Sequence, residues 1–341
     1  MRVHVSAAFF FLCLAIWSAD GVSVDSMVAT VRTSMAKKHK DGAIADSLDK
    51  MQLAQRLDDR VIEILESEGA GPQTLGALQR MRDASRLLPP PADPPSGMMP
   101  PPPLPSEEEN RQWQRVSAQA RDYTRSLPDF LCTETVNRWV DPTGKEDWRA
   151  GSTVVADLSY FDQKENYKVL TVNGKRSEGS LADLDGTISR GEFGTMLATI
   201  FNPASQTEYR WDHWTILRKR PTSVYVYRVT ASHHPHALRE KTPAGTVTAI
   251  VGLHGYLYVD QETANVMRIS AIAEDIPSDF PVQHATAVLD YDYAKIGDDS
   301  YLLPLRVEVR IDAKGGASLN SVQFQNYRKF HADATVSFDK K

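Results

Sequence analysis

The sequence lacks most of the features that mark a functional class. Two cysteines in 341 residues, Cys13 and Cys132, exclude a disulfide scaffold. Positive charge is not in excess: 44 acidic residues against 39 basic ones give a formal net charge of −5. Nucleic-acid binding, which needs a basic face, is therefore not expected. A Gly-rich phosphate loop, a nucleophile elbow and a two-histidine zinc helix are all missing, so neither a cofactor nor an enzyme activity is expected. No apolar run is long enough for a transmembrane helix, which takes about 20 residues. A composition 41% hydrophobic and 24% charged is that of a globular protein, not of a disordered chain.

What is present begins with an export signal. Arg2 and His4 precede an apolar run from Val5 to Trp17, long enough for a signal-peptide core and too short to cross a bilayer. Ala19 and Gly21 are small residues at the −3 and −1 positions, so residues 1–21 read as a signal peptide cleaved near Gly21. Cys13 lies inside the apolar core and is not placed for lipid modification. The expected location is periplasmic or secreted, with no transmembrane anchor after cleavage. Cleavage removes Arg2 and Asp20, leaves the net charge unchanged, and leaves Cys132 without a partner thiol.

Three zones follow. Residues 22–88 read as helix: Ile44, Leu48, Met51, Leu57, Val61, Ile64 and Leu65 form an apolar stripe. Gly69 to Pro72 breaks it before a second, shorter helix with Leu75, Leu78, Met81 and Leu88. A helical hairpin is expected here, and its stripe is a candidate surface for a protein partner. Residues 89–105 hold ten prolines in seventeen positions, an extended spacer between domains. In residues 106–341 a helix with Trp113, Val116, Ala120, Tyr123 and Leu127 on one face stops at Pro128. The period then changes from 3.6 to 2.

Strands are predicted over 130–139, 152–161, 165–173, 208–217, 223–232, 246–260, 266–274, 284–296, 301–312 and 321–338. Their connections are too short for the crossover helices of a parallel sheet. The fold class is thus mainly β with helices: one large curved antiparallel sheet or unclosed barrel of about ten strands. Leu303, Leu305 and Val307 alternate with polar residues and are expected on its covered face. A helix over 189–201 interrupts the strands. Ser189-Arg190-Gly191-Glu192 has capping-box spacing, and Phe193, Met196, Leu197, Ile200 and Phe201 share one face. That face must lie on the sheet, either completing a packed core or lidding a cavity for an apolar ligand.

Two later segments, Gly255-Tyr-Leu-Tyr-Val-Asp-Gln-Glu-Thr-Ala-Asn-Val-Met-Arg-Ile269 and Tyr301-Leu-Leu-Pro-Leu-Arg306, carry a family resemblance. With the order of export signal, amphipathic helix, strands and lid-like helix, they resemble the LolA-like periplasmic lipoprotein-carrier superfamily. Residues 127–138 and 324–330 look like a group of exported bacterial proteins, often acidobacterial. The resemblance spans roughly residues 106–341. It implies an unclosed antiparallel barrel whose helices close over an apolar concavity that receives acyl chains. One departure is that no arginine matches the position such carriers keep inside the cavity; Arg268 and Arg306 are strand residues.

The remaining chemistry has plainer explanations. His233, His234 and His236 flank Pro235 and read as a surface loop, since no Cys, Asp or Glu stands at ligand spacing. Cys132, in a strand after Phe130, reads as a buried small hydrophobe. Asp183/Asp185 and Asp290/Asp292 read as a turn and a solvated strand face. The aromatic pairs Tyr209/Trp211, Tyr225/Tyr227 and Tyr256/Tyr258 each share a face. The expected function is non-catalytic binding of an apolar, lipid-like ligand by Phe193, Met196, Leu197, Ile200, Phe201, Leu303, Leu305 and Val307. The alternative is a packed interaction or structural module of the cell envelope with no ligand cavity.

Overall fold

The computed structural model describes residues 21–91, 105–145, 147–177, 193–233, 236–242 and 245–330. The signal segment, most of the proline run, residues 189–192, Asp183, Asp185 and His234 lie outside the described residues. The chain divides into two compact units, Met1–Met99 and Pro100–Lys341, each with its own apolar core.

The first unit contains α1 (Val24–Ala36), α2 (Asp41–Leu48), α3 (Asp59–Ser67) and α4 (Pro72–Ser85). Met27, Val31, Leu48, Leu57, Leu65 and Leu78 fill its core. The expected hairpin is therefore a set of four helices, and two of them carry the stripe from Ile44 to Leu65. The Asp58 carboxylate accepts the Arg60 amide at 3.1 Å and starts a new helix at that point. The stripe runs through the break because α2, the connecting Leu57 and α3 all face one core. Asp41, the first residue of α2, accepts the Gln73 and Thr74 amides at 2.8 and 3.0 Å, which satisfies the start of α4 behind Pro72.

The second unit opens with α5 (Ser106–Ser126), whose first turn carries Glu107, Glu108 and Glu109 at the positive end of the helix dipole. The strands are β1 (Phe130–Asp141), β2 (Arg149–Phe161), β3 (Lys164–Val172), β4 (Lys175–Arg176), β5 (Glu208–Leu217), β6 (Arg220–Val229), β7 (His236–Thr242), β8 (Gly245–Asp260), β9 (Val266–Glu274), β10 (Val282–Ile296), β11 (Asp299–Ala313) and β12 (Gly316–Lys329). Among the described residues between β4 and β5 stand a short helix, α6 (Thr195–Phe201), and a 3-10 turn over Pro203–Ser205. All pairings within the sheet are antiparallel, in the order β4-β3-β2-β1-β12-β11-β10-β9-β8-β6-β5, with β7 on β8. The two ends of that order, β4 and β5, are not paired with each other, so the sheet stays open.

Each of the ten predicted strands has a counterpart, and residues 331–338 of the last lie outside the described residues. β4 and β7 are additional, because two residues and a histidine-led charged segment give too little alternation to read. His236 opens β7 opposite Val251, so the expected histidine loop ends one residue earlier. Bulges in β2, β3, β5, β9, β10, β11 and β12 coil the sheet further. At Gly255 a Cβ would lie 2.0 Å from the Ser270 carbonyl oxygen, so only glycine permits β8 and β9 to approach this closely.

Because the two cores share no residue, the sheet unit is expected to fold alone. A chain truncated to residues 105–341 should give a β-rich circular dichroism spectrum and one cooperative melt. An unfolded or aggregated truncation would contradict that independence.

Candidate functional site

Directly paired residues on neighbouring strands share a face, and one apolar row runs across ten strands. It reads Val172, Val154, Val136, Val322, Val307, Leu289, Ile269, Leu257, Tyr225 and Trp211 from β3 to β5. This inner face lies under the helices. Trp113 of α5 stacks on Tyr209 at 3.9 Å and tilts against Tyr225 at 5.7 Å, while Tyr123 meets Tyr291 edge-on at 5.9 Å. At the β1–β2 side, Phe193 sits 5.2 Å from Phe130, 5.8 Å from Tyr160 and 5.5 Å from Phe324.

α6 is shorter than the predicted 189–201 helix among the described residues. It begins after Gly194, whose φ of 131° suits glycine, and ends at Asn202 before Pro203. Phe193, Leu197, Ile200 and Phe201 are buried in the main core together with Leu303 and Val307, and Met196 is partly buried against it. Leu305 is a correction: it is 40% exposed. On β11, Asp290 pairs with Arg306 and Tyr291 with Pro304, so Leu305 is the extra residue of a bulge with no partner across from it. The alternation that placed Leu305 inside slips there, and the same slip corrects Leu303: paired with Asp292, which shares the Asp290 face, Leu303 is buried on the face opposite Val307.

Asp290 is a second correction. Read as part of a solvated strand face, it is 1% exposed and holds three guanidinium groups. Arg268 Nε lies 2.6 Å from Oδ1, Arg306 Nε 2.8 Å from Oδ2, and an Arg218 terminal nitrogen 3.0 Å from Oδ1. Burial raises the carboxyl pKa, but the charges of Arg268, Arg306 and Arg218 overcome it and hold the group ionised, well below the usual carboxylate range. The cluster closes a seam. β9 pairs with β10 only from Arg268 to Ile272, and beyond that point Arg218 donates to the Met267 and Tyr291 carbonyls at 3.0 and 2.6 Å. Arg218 comes from a two-residue turn in which it and Lys219 have φ of 47° and 66°. Asp290 alternates with Leu289 and Tyr291, so the arginines gather on the face away from α5 and α6. They staple the sheet and do not line the apolar face.

Cys132 is fully buried, and burial followed by the nearby Glu134 charge pushes its thiol pKa up, which disfavours the thiolate a nucleophile requires. Among the described residues, no group of three His, Cys, Asp or Glu side chains is placed to hold a metal ion. The His233 imidazole meets the Thr230 hydroxyl at 3.0 Å. Tyr256 and Tyr258 face away from the helices, and the Arg268 guanidinium lies 5.4 Å from the Tyr258 ring centre.

One arrangement left no clear trace in the sequence. The next inner-face row runs Arg138, Asn320, Val309, Ala287, Ala271, Gly255, Tyr227 and Tyr209. Its middle is therefore floored by two alanines and a glycine. Ala287 and Val309 are half-buried, whereas Ala271, Gly255 and Tyr227 are buried. Two buried donors on this face, the Tyr227 hydroxyl and the Trp211 indole N–H, have no hydrogen-bond partner.

The open, helix-covered antiparallel sheet is the arrangement that the resemblance to the LolA-like superfamily implied. No protein-family model matches this chain, and neither does any curated protein. Solved structures with detectable likeness include a LolA superfamily protein from Nitrosomonas europaea, 9% identical, with 65% of this chain and 96% of that chain covered and a TM-score of 0.34. Another is a DUF1329 family protein from Desulfovibrio piger, 10% identical, with 67% and 94% covered and a TM-score of 0.32. Similarity at this level carries no argument about what this chain binds.

The Asp290 staple has a measurable consequence. Asp290→Ala leaves three arginines around an empty site and should cost about 3–5 kcal/mol, read as a lower urea midpoint. Because the folded pKa is depressed, the contribution of Asp290 is complete above about pH 5 and is lost as pH falls toward the folded value. The variant should therefore lose less stability than the parent between about pH 5 and pH 2. An unchanged midpoint with an identical acid response would contradict this assignment.

Proposed function

We propose that the chain is an exported, non-catalytic binding protein that shelters an apolar, lipid-like ligand between α6 and the inner face of the sheet. One observation supports this reading above the others: a continuous apolar row runs across ten strands, and α6, whose apolar side chains are buried in the same core, is a helix of only seven residues. A helix that short has no stability of its own in water. It is held by burial of Phe193, Leu197, Ile200 and Phe201, each worth about 1.5–3 kcal/mol. An acyl chain offers the same kind of surface and can take the place of α6 at little net cost. Gly194 on one side and Asn202-Pro203 on the other are the points about which the helix would swing. Phe193, Met196, Leu197, Ile200 and Phe201 would then line the ligand from above, and Val307 from below. The export signal, the periplasmic or secreted location and the absence of an anchor after cleavage belong to the same reading.

The ring packing around Trp113 and Phe193 favours a second reading, a fully packed module whose partner binds the 22–88 helices. A dansylated fatty acid separates the two. The carrier reading expects saturable binding of about one probe per sheet unit, strengthened several-fold in Leu197→Ala, because weaker docking of α6 lowers the cost of moving it. Absence of saturable binding to the parent protein would leave the packed module.

A further inference from the structure

Beside the apolar row covered by α5 and α6 lies the row in which Gly255, Ala271 and Ala287 are side by side on β8, β9 and β10. Small residues on three consecutive strands form a low strip about 10 Å wide, termed the trough, in a face otherwise set with Leu, Ile, Val and aromatic side chains. The strip is half-buried at Ala287 and Val309 and buried at Ala271, Gly255 and Tyr227. Tyr227 stands directly across from Gly255, where no Cβ separates its ring from the alanines. Its hydroxyl is buried and has no hydrogen-bond partner. Trp211 pairs with Tyr225, which makes it the diagonal neighbour of Tyr227 on the same face, and its indole N–H is likewise buried and unpartnered.

Buried donors are nearly always satisfied, so two at neighbouring positions beside a small-residue floor need a common explanation. Indole is a donor only, and a tyrosine hydroxyl donates readily, so what they lack is an acceptor. Among the described residues at this end of the row, Ala271, Gly255, Tyr227 and Tyr209, none is cationic, so an ionised head group would find no charge partner in the row. Resting on the reading that the inner face takes an apolar ligand, we propose that the trough seats a lipid bearing a neutral acyl ester, whose oxygens accept from Tyr227 and Trp211 while its chain lies over Ala271 and Ala287. Tyr227 is then a specificity-determining residue, separating acyl esters from plain hydrocarbon.

The test compares methyl dodecanoate with tetradecane, a hydrocarbon of matched length, as competitors of the dansylated probe on the full chain. The parent should prefer the ester by roughly tenfold, and Tyr227→Phe should bind tetradecane as before while its ester affinity falls roughly three- to tenfold. Unliganded Tyr227→Phe should melt no lower than the parent, because the hydroxyl it removes has no internal partner. Ala287→Leu, at a half-buried position, should exclude both ligands while keeping the parent's melting temperature. Equal affinities for ester and hydrocarbon, or an ester preference undiminished in Tyr227→Phe, would overturn the assignment and leave the carrier reading intact. A lower melting temperature for Tyr227→Phe would point to an internal water as the partner and would also overturn it. Failure of the parent to bind the probe or either ligand would remove the carrier reading together with this one.

Discussion

The constraint from which the second unit follows is that its sheet has an apolar inner face ten strands wide and that this face must be kept from water. Paired valines on β1, β2, β3, β11 and β12 and larger side chains on β5, β6 and β8 to β10 form a continuous surface. Its burial drives the fold. α5 meets this requirement over the β5–β6 side and the centre with Trp113, Val116, Ala120 and Tyr123. At the β1–β2 side Phe193 packs on Phe130 and Tyr160, and α6, which follows it, brings Phe201 within 5.1 Å of Trp113. The same hydrophobic demand therefore explains both the fold and the helices that cover it.

A sheet coiled by so many bulges must part somewhere. It parts between β9 and β10, where direct pairing ends at Arg268 and Asp290. The solution is ionic and local: one buried carboxylate gathers arginines from β9, β11 and the β5–β6 turn. Burying an ion is costly unless it is fully paired, and Asp290 is paired on both oxygens. Arg218 adds two backbone carbonyls left without ladder partners at the seam. The staple stands on the face opposite α5 and α6, so the inner face keeps its apolar character while the sheet stays in one piece.

Strand positions were legible in the sequence because alternation with period 2 is strong wherever one face is covered, as in 208–217 and 266–274, where the predicted and observed limits coincide. What was not legible depends on relations between strands. Leu305 follows the alternation of its neighbours, and only the register with β10 shows it to be a bulge residue. Asp290 next to Tyr291 and Asp292 resembles an exposed strand edge until its three arginines, distant in sequence, are brought beside it. The same holds for Gly255, Ala271 and Ala287, three unremarkable small residues that become a trough only through pairing. In the first unit, a run of apolar residues three and four apart could not report the break at Asp58, because both helices and the loop between them serve one core.

The central claim is that the inner face of the sheet exchanges its own helical cover for a lipid. Native mass spectrometry of the full chain purified without detergent measures this directly. The account predicts a population heavier than the polypeptide by a discrete lipid mass, released on solvent extraction and restored by incubation with the extracted lipid. A single species at the polypeptide mass, unchanged after incubation with a total bacterial lipid extract, would contradict it.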